Sequence, residues 1–88
     1  MGMDSVELMM AWEEHFDIAI SNELAATLET PRKVIDAFEE ILETGTTRKR
    51  WTRFEIERDV CKIIVEQLGI SRDSFTLDSS FIQDMGLD

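Results

Sequence analysis

Apolar residues in this chain recur three or four positions apart in several segments, and no segment alternates apolar and polar residues over the length of a strand. Spacing of three and four residues puts side chains on one face of an α-helix, whereas alternation is typical of a half-buried β-strand. The pattern therefore predicts an all-α fold with three main helices and one or two short ones. Because 88 residues supply one modest core, we expect a single domain over residues 1–88.

Two helices and a short one are predicted in the first half of the chain. The first begins near Asp4, with Glu7 three residues later in a capping-box pattern. A short helix is expected from about Asn22 to Leu28, and the clearest helix follows, with Thr30 as N-cap and Pro31 in the first helical position. The apolar residues of the first and last of these helices are Val6, Met9, Met10, Ala11, Trp12 and Phe16, and Val34, Ile35, Phe38, Ile41 and Leu42.

A polar, basic segment divides two acidic parts of the chain. The net charge is −9 over residues 1–44, +3 over residues 45–58 and −4 over residues 59–88. Gly45 is predicted to end the preceding helix, and no apolar residue occurs between Gly45 and Trp51. We therefore interpret residues 43–51 as an exposed linker.

A further helix is predicted directly after this linker. Thr52 and Glu55 have the spacing of a capping box, and Trp51 and Ile56 have that of a hydrophobic staple. The apolar stripe continues to residue 68, and Gly69 suits the left-handed position that ends many helices. The rest is predicted to be a long loop anchored by apolar residues and followed by one short turn, with Phe75 and Leu77 as the anchors and residues 79–85 as the turn.

The charge of the chain limits its partners. With 19 acidic and 9 basic residues the net charge is −10, which argues against binding the phosphates of DNA or RNA and favours basic partners. Arg48-Lys49-Arg50 is too small a cluster to reverse that expectation. No apolar run has the length of a membrane span, and Met1 is followed by acidic rather than basic residues, so we expect no membrane span, no signal peptide and a cytoplasmic protein.

The residues suited to catalysis or metal binding are few. Cys61 is the single cysteine and His15 the single histidine, so the chain lacks the pairs needed for an internal disulfide, a cysteine-built zinc site or a His–His metal site. Cys61 lies beside the predicted buried stripe and is expected to be inert, whereas His15 is expected to be exposed. We therefore expect no metal and no enzymatic activity of the chain's own.

Two parts of the chain resemble acyl carrier proteins. Residues 4–20, with Asp4-Ser-Val-Glu-Leu8 at their start, are similar to the family's second helix and the loop after it, and residues 24–38 to its third and fourth helices. Val60-Cys-Lys-Ile-Ile-Val-Glu-Gln-Leu-Gly-Ile70 is similar to the first helix, and Asp84-Met-Gly-Leu-Asp88 to the end of the loop that follows it. Residues 1–42 thus correspond to helices two to four, and residues 52–88 to the first helix and the long loop.

The two parts occur along this chain in the opposite order from that in the family. The resemblance therefore implies a circularly permuted bundle of three or four helices, with the former termini joined by the linker and Asp88 close to Met1–Ser5. Nine linker residues reach about 30 Å, more than the diameter of such a bundle. A swapped dimer is the competing arrangement, and we expect a monomer because the linker is polar and contains Gly45.

The resemblance implies a carrier that holds acyl groups as thioesters on 4′-phosphopantetheine for fatty-acid or related biosynthesis. In the family that group is attached to a serine preceded by Asp at the start of the second helix, which Asp4-Ser5 matches. A phosphopantetheinyl transferase and acyl-transferring enzymes with basic docking patches are the implied partners. The corresponding acidic docking residues are Glu7, Glu13 and Glu14.

A second alignment of the same helix removes the attachment site. The common family pattern is Asp-Ser-Leu-Asp-x-Val-Glu-Leu, and matching it to Val6-Glu7-Leu8 puts Gly2 at the modified serine and Ser5 at the variable position. A three-residue shift rotates a helical residue by about 60° and moves it about 4.5 Å along the axis. We therefore expect weak or absent modification. The alternative function is a carrier-derived acidic interaction module that lacks the prosthetic group.

Three methionines have two interpretations. Met9, Met10 and Met85 could line a cavity for an acyl chain, because methionine adapts to variable shapes. Ordinary core packing is the favoured expectation.

Overall fold

The computed structural model describes residues 3–44 and 50–86, and within these ranges all regular secondary structure is helical. The helices are α1 (Met3–Phe16), α2 (Asn22–Ala25), α3 (Pro31–Thr44) and α4 (Arg53–Leu68), and a 3-10 turn spans Arg72–Ser74. Helix α4 packs against both α1 and α3. These elements confirm the predicted all-α class. None of the helices described is long and apolar enough to cross a membrane.

The start of α1 differs from the prediction. The helix begins at Met3, so Asp4 lies within its first turn and the assignment of Asp4 as N-cap is wrong. At the other end, Asp17 adopts a left-handed conformation with φ of 56°, and the Ile18 N–H donates to the Glu13 carbonyl at 3.1 Å. This is the bond of a Schellman ending, in which aspartate tolerates the left-handed position better than most residues.

Helices α2 and α3 begin with hydroxyl caps. The Ser21 hydroxyl accepts a hydrogen bond from the Leu24 N–H at 3.1 Å, and α2 ends at Ala25, three residues short of the predicted end. The Thr30 hydroxyl accepts from the Lys33 N–H at 3.3 Å, which confirms its predicted capping role. Helix α3 continues to Thr44, two residues into the predicted linker, while Gly45 lies outside the described residues.

Helix α4 has both of its predicted ends. The Thr52 hydroxyl accepts from the Glu55 N–H at 3.2 Å, and a Glu55 carboxylate oxygen accepts from the Thr52 N–H at 3.2 Å, which completes the capping box. Gly69 is left-handed at φ 65° and ψ 31°, and its N–H donates to the Val65 carbonyl at 3.0 Å. The predicted capping box and the predicted glycine end are both confirmed.

Removing the Thr52 hydroxyl tests the importance of this cap. We expect Thr52→Ala to lower the free energy of unfolding by about 1 kcal/mol, because a backbone N–H of the first turn loses its acceptor. Thr52→Ser keeps the hydroxyl and should remain within about 0.5 kcal/mol of the parent protein. Urea unfolding followed by far-UV circular dichroism measures both. An equal loss in the two variants would contradict the capping role.

An aromatic cluster joins α1, α3 and the residue before the cap of α4. The Trp12 and Phe38 rings meet edge to face at a centroid distance of 5.6 Å, and Phe16 lies 5.3 Å from Phe38. Trp51, at the end of the predicted linker, lies 4.8 Å from Phe16. The chain before α4 is therefore held against the end of α1. The other buried apolar residues are Leu8, Leu28, Val34, Ile35, Leu42, Ile56, Val60, Cys61, Ile63, Ile64, Phe75 and Phe81.

The segment after α4 is fixed to the start of α3. The Arg32 N–H donates to the Leu77 carbonyl at 2.9 Å, and the Phe81 N–H donates to the Glu29 carbonyl at 3.0 Å. Phe75 is buried and Leu77 half-buried, which confirms both as anchors. Phe81 also reaches α1, where its ring lies 6.0 Å from that of Trp12. This loop therefore packs against the two helices of the first half.

Candidate functional site

Ser5 is the third residue of α1. Backbone N–H groups in the first turn of a helix lack carbonyl partners within the helix, and the helix dipole is positive at that end. Both effects favour an anionic group such as a phosphodiester. The location of Ser5 near the start of α1 therefore suits a phosphodiester better than a location in the middle of a helix would.

An apolar groove of about 570 Å³ lies between α1 and the segment containing α2. Val6 and Met10 on α1 are 42% and 56% exposed, so both side chains present apolar surface to the solvent. Val6, which follows Ser5 in the sequence of α1, lines the groove, and the groove is large enough to hold part of an alkyl chain. Its lining residues are Val6, Met9, Met10, Glu13, Ile20, Asn22, Ala25 and Ala26.

Met9, Met10 and Met85 occupy different environments in the structure. Met9 is half-buried and lines the groove together with Met10, whose exposure shows that the expectation of ordinary core packing is wrong for that residue. Met85 is half-buried against the core and takes no part in the groove. The cavity interpretation therefore has structural support for two of the three residues.

The three acidic residues predicted to dock partners occupy different environments. Glu7 and Glu14 are exposed on α1. Glu13 is half-buried, and its Oε2 atom accepts a hydrogen bond from the Ile20 N–H at 2.8 Å. Glu13 thereby fixes the loop that forms one wall of the groove. Its carboxylate shapes the site, while Glu7 and Glu14 are available on the surface.

A buried carboxylate that the sequence interpretation missed links α1 to α4. Asp59 is 7% exposed, and its Oδ2 atom lies 2.9 Å from Nε2 of His15. The Arg58 Nε–H donates to the other oxygen at 2.9 Å. Burial raises the pKa of Asp59, but the hydrogen bonds from Arg58 and His15 outweigh burial and hold the pKa below its ordinary value. His15 is exposed, as expected, yet it serves as one partner of this cross-link.

The position of Asp59 in the sequence indicates that its carboxylate lies on the buried side of α4. Asp59 follows Ile56 by three residues and precedes Ile63 by four, so it occupies a position on the apolar stripe of α4. A carboxylate at such a position needs a partner. Asp59 is not a lining residue of the groove beside α1, and its hydrogen bond with His15 joins α4 to α1.

Cys61 is buried as predicted. It is 4% exposed, and burial raises the pKa of its thiol. A neutral, buried thiol is a poor nucleophile. The inert assignment of Cys61 is consistent with this environment.

Comparison with known proteins gives partial similarity to an acyl carrier protein. Over 33 residues the chain is 52% identical to the acyl carrier protein of Akkermansia muciniphila, a match that covers 38% of this chain and 41% of that relative. The match supports a relationship to the acyl carrier protein family. No family model matches the chain, and no solved structure is significantly similar to it.

Proposed function

We propose that the protein is a carrier that holds acyl groups as thioesters on 4′-phosphopantetheine attached to Ser5, for fatty-acid or related biosynthesis in the cytoplasm. The observation that carries the proposal is the apolar groove lined by Val6, the residue that follows this serine in α1. The partial similarity to an acyl carrier protein supports the same function.

The residues present are suited to the prosthetic group. When bound, 4′-phosphopantetheine supplies a thiol that forms the thioester. Ser5 would provide the hydroxyl oxygen of the phosphodiester, and the first turn of α1 would favour its negative charge. The apolar walls at Val6, Met9 and Met10 would shelter the acyl chain from water.

The circular permutation belongs to this proposal. A comparison that keeps the order of residues can align only one part of a permuted chain with its relatives. The similarity to the acyl carrier protein covers 38% of this chain, as a permutation would produce. The contact of Phe81 with Trp12 supports a loop that ends near α1, as the family order requires. The ends predicted to meet, Asp88 and Met1–Gly2, lie outside the described residues. We propose a monomer, with the swapped dimer as the alternative.

Docking of partners is proposed for the exposed side of α1. Glu7 and Glu14 are exposed there, and Val6 and Met10 lie on the same helix. Carboxylates beside exposed apolar side chains suit a partner with a basic patch around an apolar centre. A phosphopantetheinyl transferase and acyl-transferring enzymes are the proposed partners. Glu13 would act indirectly by holding the wall of the groove.

A second candidate function follows from the register of α1. If Val6-Glu7-Leu8 corresponds to the family's Val-Glu-Leu, glycine occupies the position of the modified serine at residue 2. The protein would then be an acidic interaction module that keeps the docking surface and lacks the prosthetic group.

Modification of Ser5 distinguishes the two functions. We expect incubation with coenzyme A and a broad-specificity phosphopantetheinyl transferase to modify the protein weakly, with at most one phosphopantetheine per chain, because the alignment on Val6-Glu7-Leu8 puts Ser5 almost one helical turn from the family's modified position. The reaction joins the Ser5 oxygen to the phosphopantetheine phosphorus, releases adenosine 3′,5′-bisphosphate and transfers the hydroxyl proton to the enzyme's base. Intact-mass spectrometry measures the product.

Two controls accompany this measurement. Ser5→Ala should abolish the addition, whereas Ser21→Ala, which removes a serine hydroxyl near the groove, should leave it unchanged. Absence of any addition under conditions that modify an ordinary carrier would favour the interaction module. Addition that persists in Ser5→Ala would place the attachment elsewhere.

A further inference from the structure

A second groove, of about 290 Å³, lies on the outer face of α4 and extends to the 3-10 turn. It shares no lining residue with the groove beside α1. Cys61 is buried in its floor, and Val65 is half-buried. The full lining consists of Glu57, Arg58, Cys61, Lys62, Val65 and Arg72.

The rim of this groove is basic although the chain is strongly acidic. Three cations and one carboxylate surround it, in a protein with a net charge of −10. Arg58 is paired with the Asp59 carboxylate at 2.9 Å, so Lys62 and Arg72 supply the basic character of the rim. Within residues 3–44 and 50–86, no carboxylate lies within ion-pair distance of Lys62 or Arg72.

Two of the cations are held in position by the fold. The Arg72 guanidinium donates to the Phe75 carbonyl at 3.0 Å and stacks 4.8 Å above the Phe75 ring. The Arg58 Nε–H is bonded to the buried Asp59 carboxylate. A guanidinium that is already oriented loses less side-chain entropy when it binds an anion than a free one does. The rim is therefore partly preorganised for carboxylates.

An exposed aromatic side chain extends this face. Phe54 is 74% exposed and lies four residues before Arg58, one turn earlier on the same side of α4. Aromatic and arginine side chains are enriched at the centres of protein interfaces. Together with the apolar floor, Phe54 favours an occupant that has apolar side chains over an isolated anion.

We propose that the basic groove on α4, with Phe54 beside it, binds an acidic segment of a partner protein. An apolar side chain of that segment lies over Cys61 and Val65, and its carboxylates face Lys62 and Arg72. The opposite charges of rim and ligand select this partner. It differs in charge from the basic partners proposed for α1, and the inference does not depend on the carrier function.

Selection of peptides on the immobilised protein tests this proposal. From a random phage-displayed library we expect enrichment of peptides that carry several Asp or Glu residues around an aromatic or aliphatic residue. For the strongest such synthetic peptide, fluorescence anisotropy should show a Kd about fivefold higher in Lys62→Glu, as the loss of exposed charge pairs predicts. The Kd should also rise with salt, because the pairs at the rim are screened.

Lys33→Glu is the matched control, because it makes the same change of charge on an exposed residue of α3. It should leave the Kd within about twofold of the parent value. Enrichment of basic or neutral peptides, or an equal loss of affinity in both variants, would overturn the proposal. Displacement of the peptide by millimolar inorganic phosphate at constant ionic strength would show a small-anion site and overturn it as well. Circular dichroism of each variant verifies that it is folded.

Discussion

Replacement of Phe38 by alanine is expected to lower the free energy of unfolding by about 3–5 kcal/mol. Phe38 has no solvent exposure, and its ring contacts those of Trp12 and Phe16 across the interface between α3 and α1. The substitution leaves a cavity in the middle of the only sizeable core that so short a chain can form. Because the free energy of unfolding of a native protein is about 5–15 kcal/mol, this loss would remove a large share of the stability.

Phe54 provides the matched control for this substitution. It is the same residue type on α4 but is 74% exposed, so Phe54→Ala should change the stability by about 0.5 kcal/mol or less. Urea denaturation followed by circular dichroism at 222 nm measures both variants without using tryptophan fluorescence. Similar losses in the two variants would contradict the packing of α3 against α1.

The second large effect is expected at the buried carboxylate. Asp59→Asn should cost about 1–3 kcal/mol at pH 7, because the charged hydrogen bonds to Arg58 and His15 are lost or weakened. The penalty is smaller than for a fully buried pair, since Arg58 and His15 are themselves exposed and can be hydrated. Asp36→Asn is a control on an exposed carboxylate and should have a smaller effect.

Acid should abolish the difference between Asp59→Asn and the parent protein. The folded-state pKa of Asp59 lies below its ordinary value, so its carboxylate stabilises the fold above the unfolded pKa, at about 4. That stabilisation is lost as the pH falls through the still lower folded pKa. Urea titrations from pH 7 down to pH 2.5 should therefore show the two proteins converging below pH 4. A constant difference across this range would contradict a stabilising role for the ionised carboxylate.

Strong local signals made α3 and α4 predictable. Thr30, Pro31, Thr52 and Gly69 act within one helical turn, so their effects on the helix ends are readable without tertiary contacts. The start of α1 was predicted one residue late because Asp4 and Glu7 imitate a capping box inside the first turn. Helix boundaries commonly differ by one or two residues, so an offset of this size leaves the prediction of the helix itself intact.

The groove could not be derived from spacing alone. Helix α1 has apolar residues around most of its circumference, and the periodicity does not indicate which of them face the core. In the structure Leu8, Trp12 and Phe16 are buried, whereas Val6 and Met10 are exposed. Which apolar residues of α1 are buried depends on where α4 and α3 pack, and this is a property of the tertiary structure.

The cross-link at Asp59 was missed for a related reason. Its partner His15 is 44 residues away, so the pair exists only after α1 and α4 have packed together. The sequence placed His15 on the surface correctly but gave no means of assigning its partner. A carboxylate in an apolar stripe signals that a partner exists, not which one.

Loading of an acyl group with detection at the methionine methyls tests the proposed carrier function most directly. Protein labelled with 13C at its methionine methyls would be incubated with a phosphopantetheinyl transferase and either octanoyl-coenzyme A or acetyl-coenzyme A. We expect the octanoyl form to shift the methyl resonances of Met9 and Met10 relative to the acetyl form, while Met85, outside the groove, is unchanged. Ser5→Ala should show neither shift. Failure to load either acyl group, or identical spectra of the two loaded forms, would contradict a carrier that shelters its acyl chain beside α1.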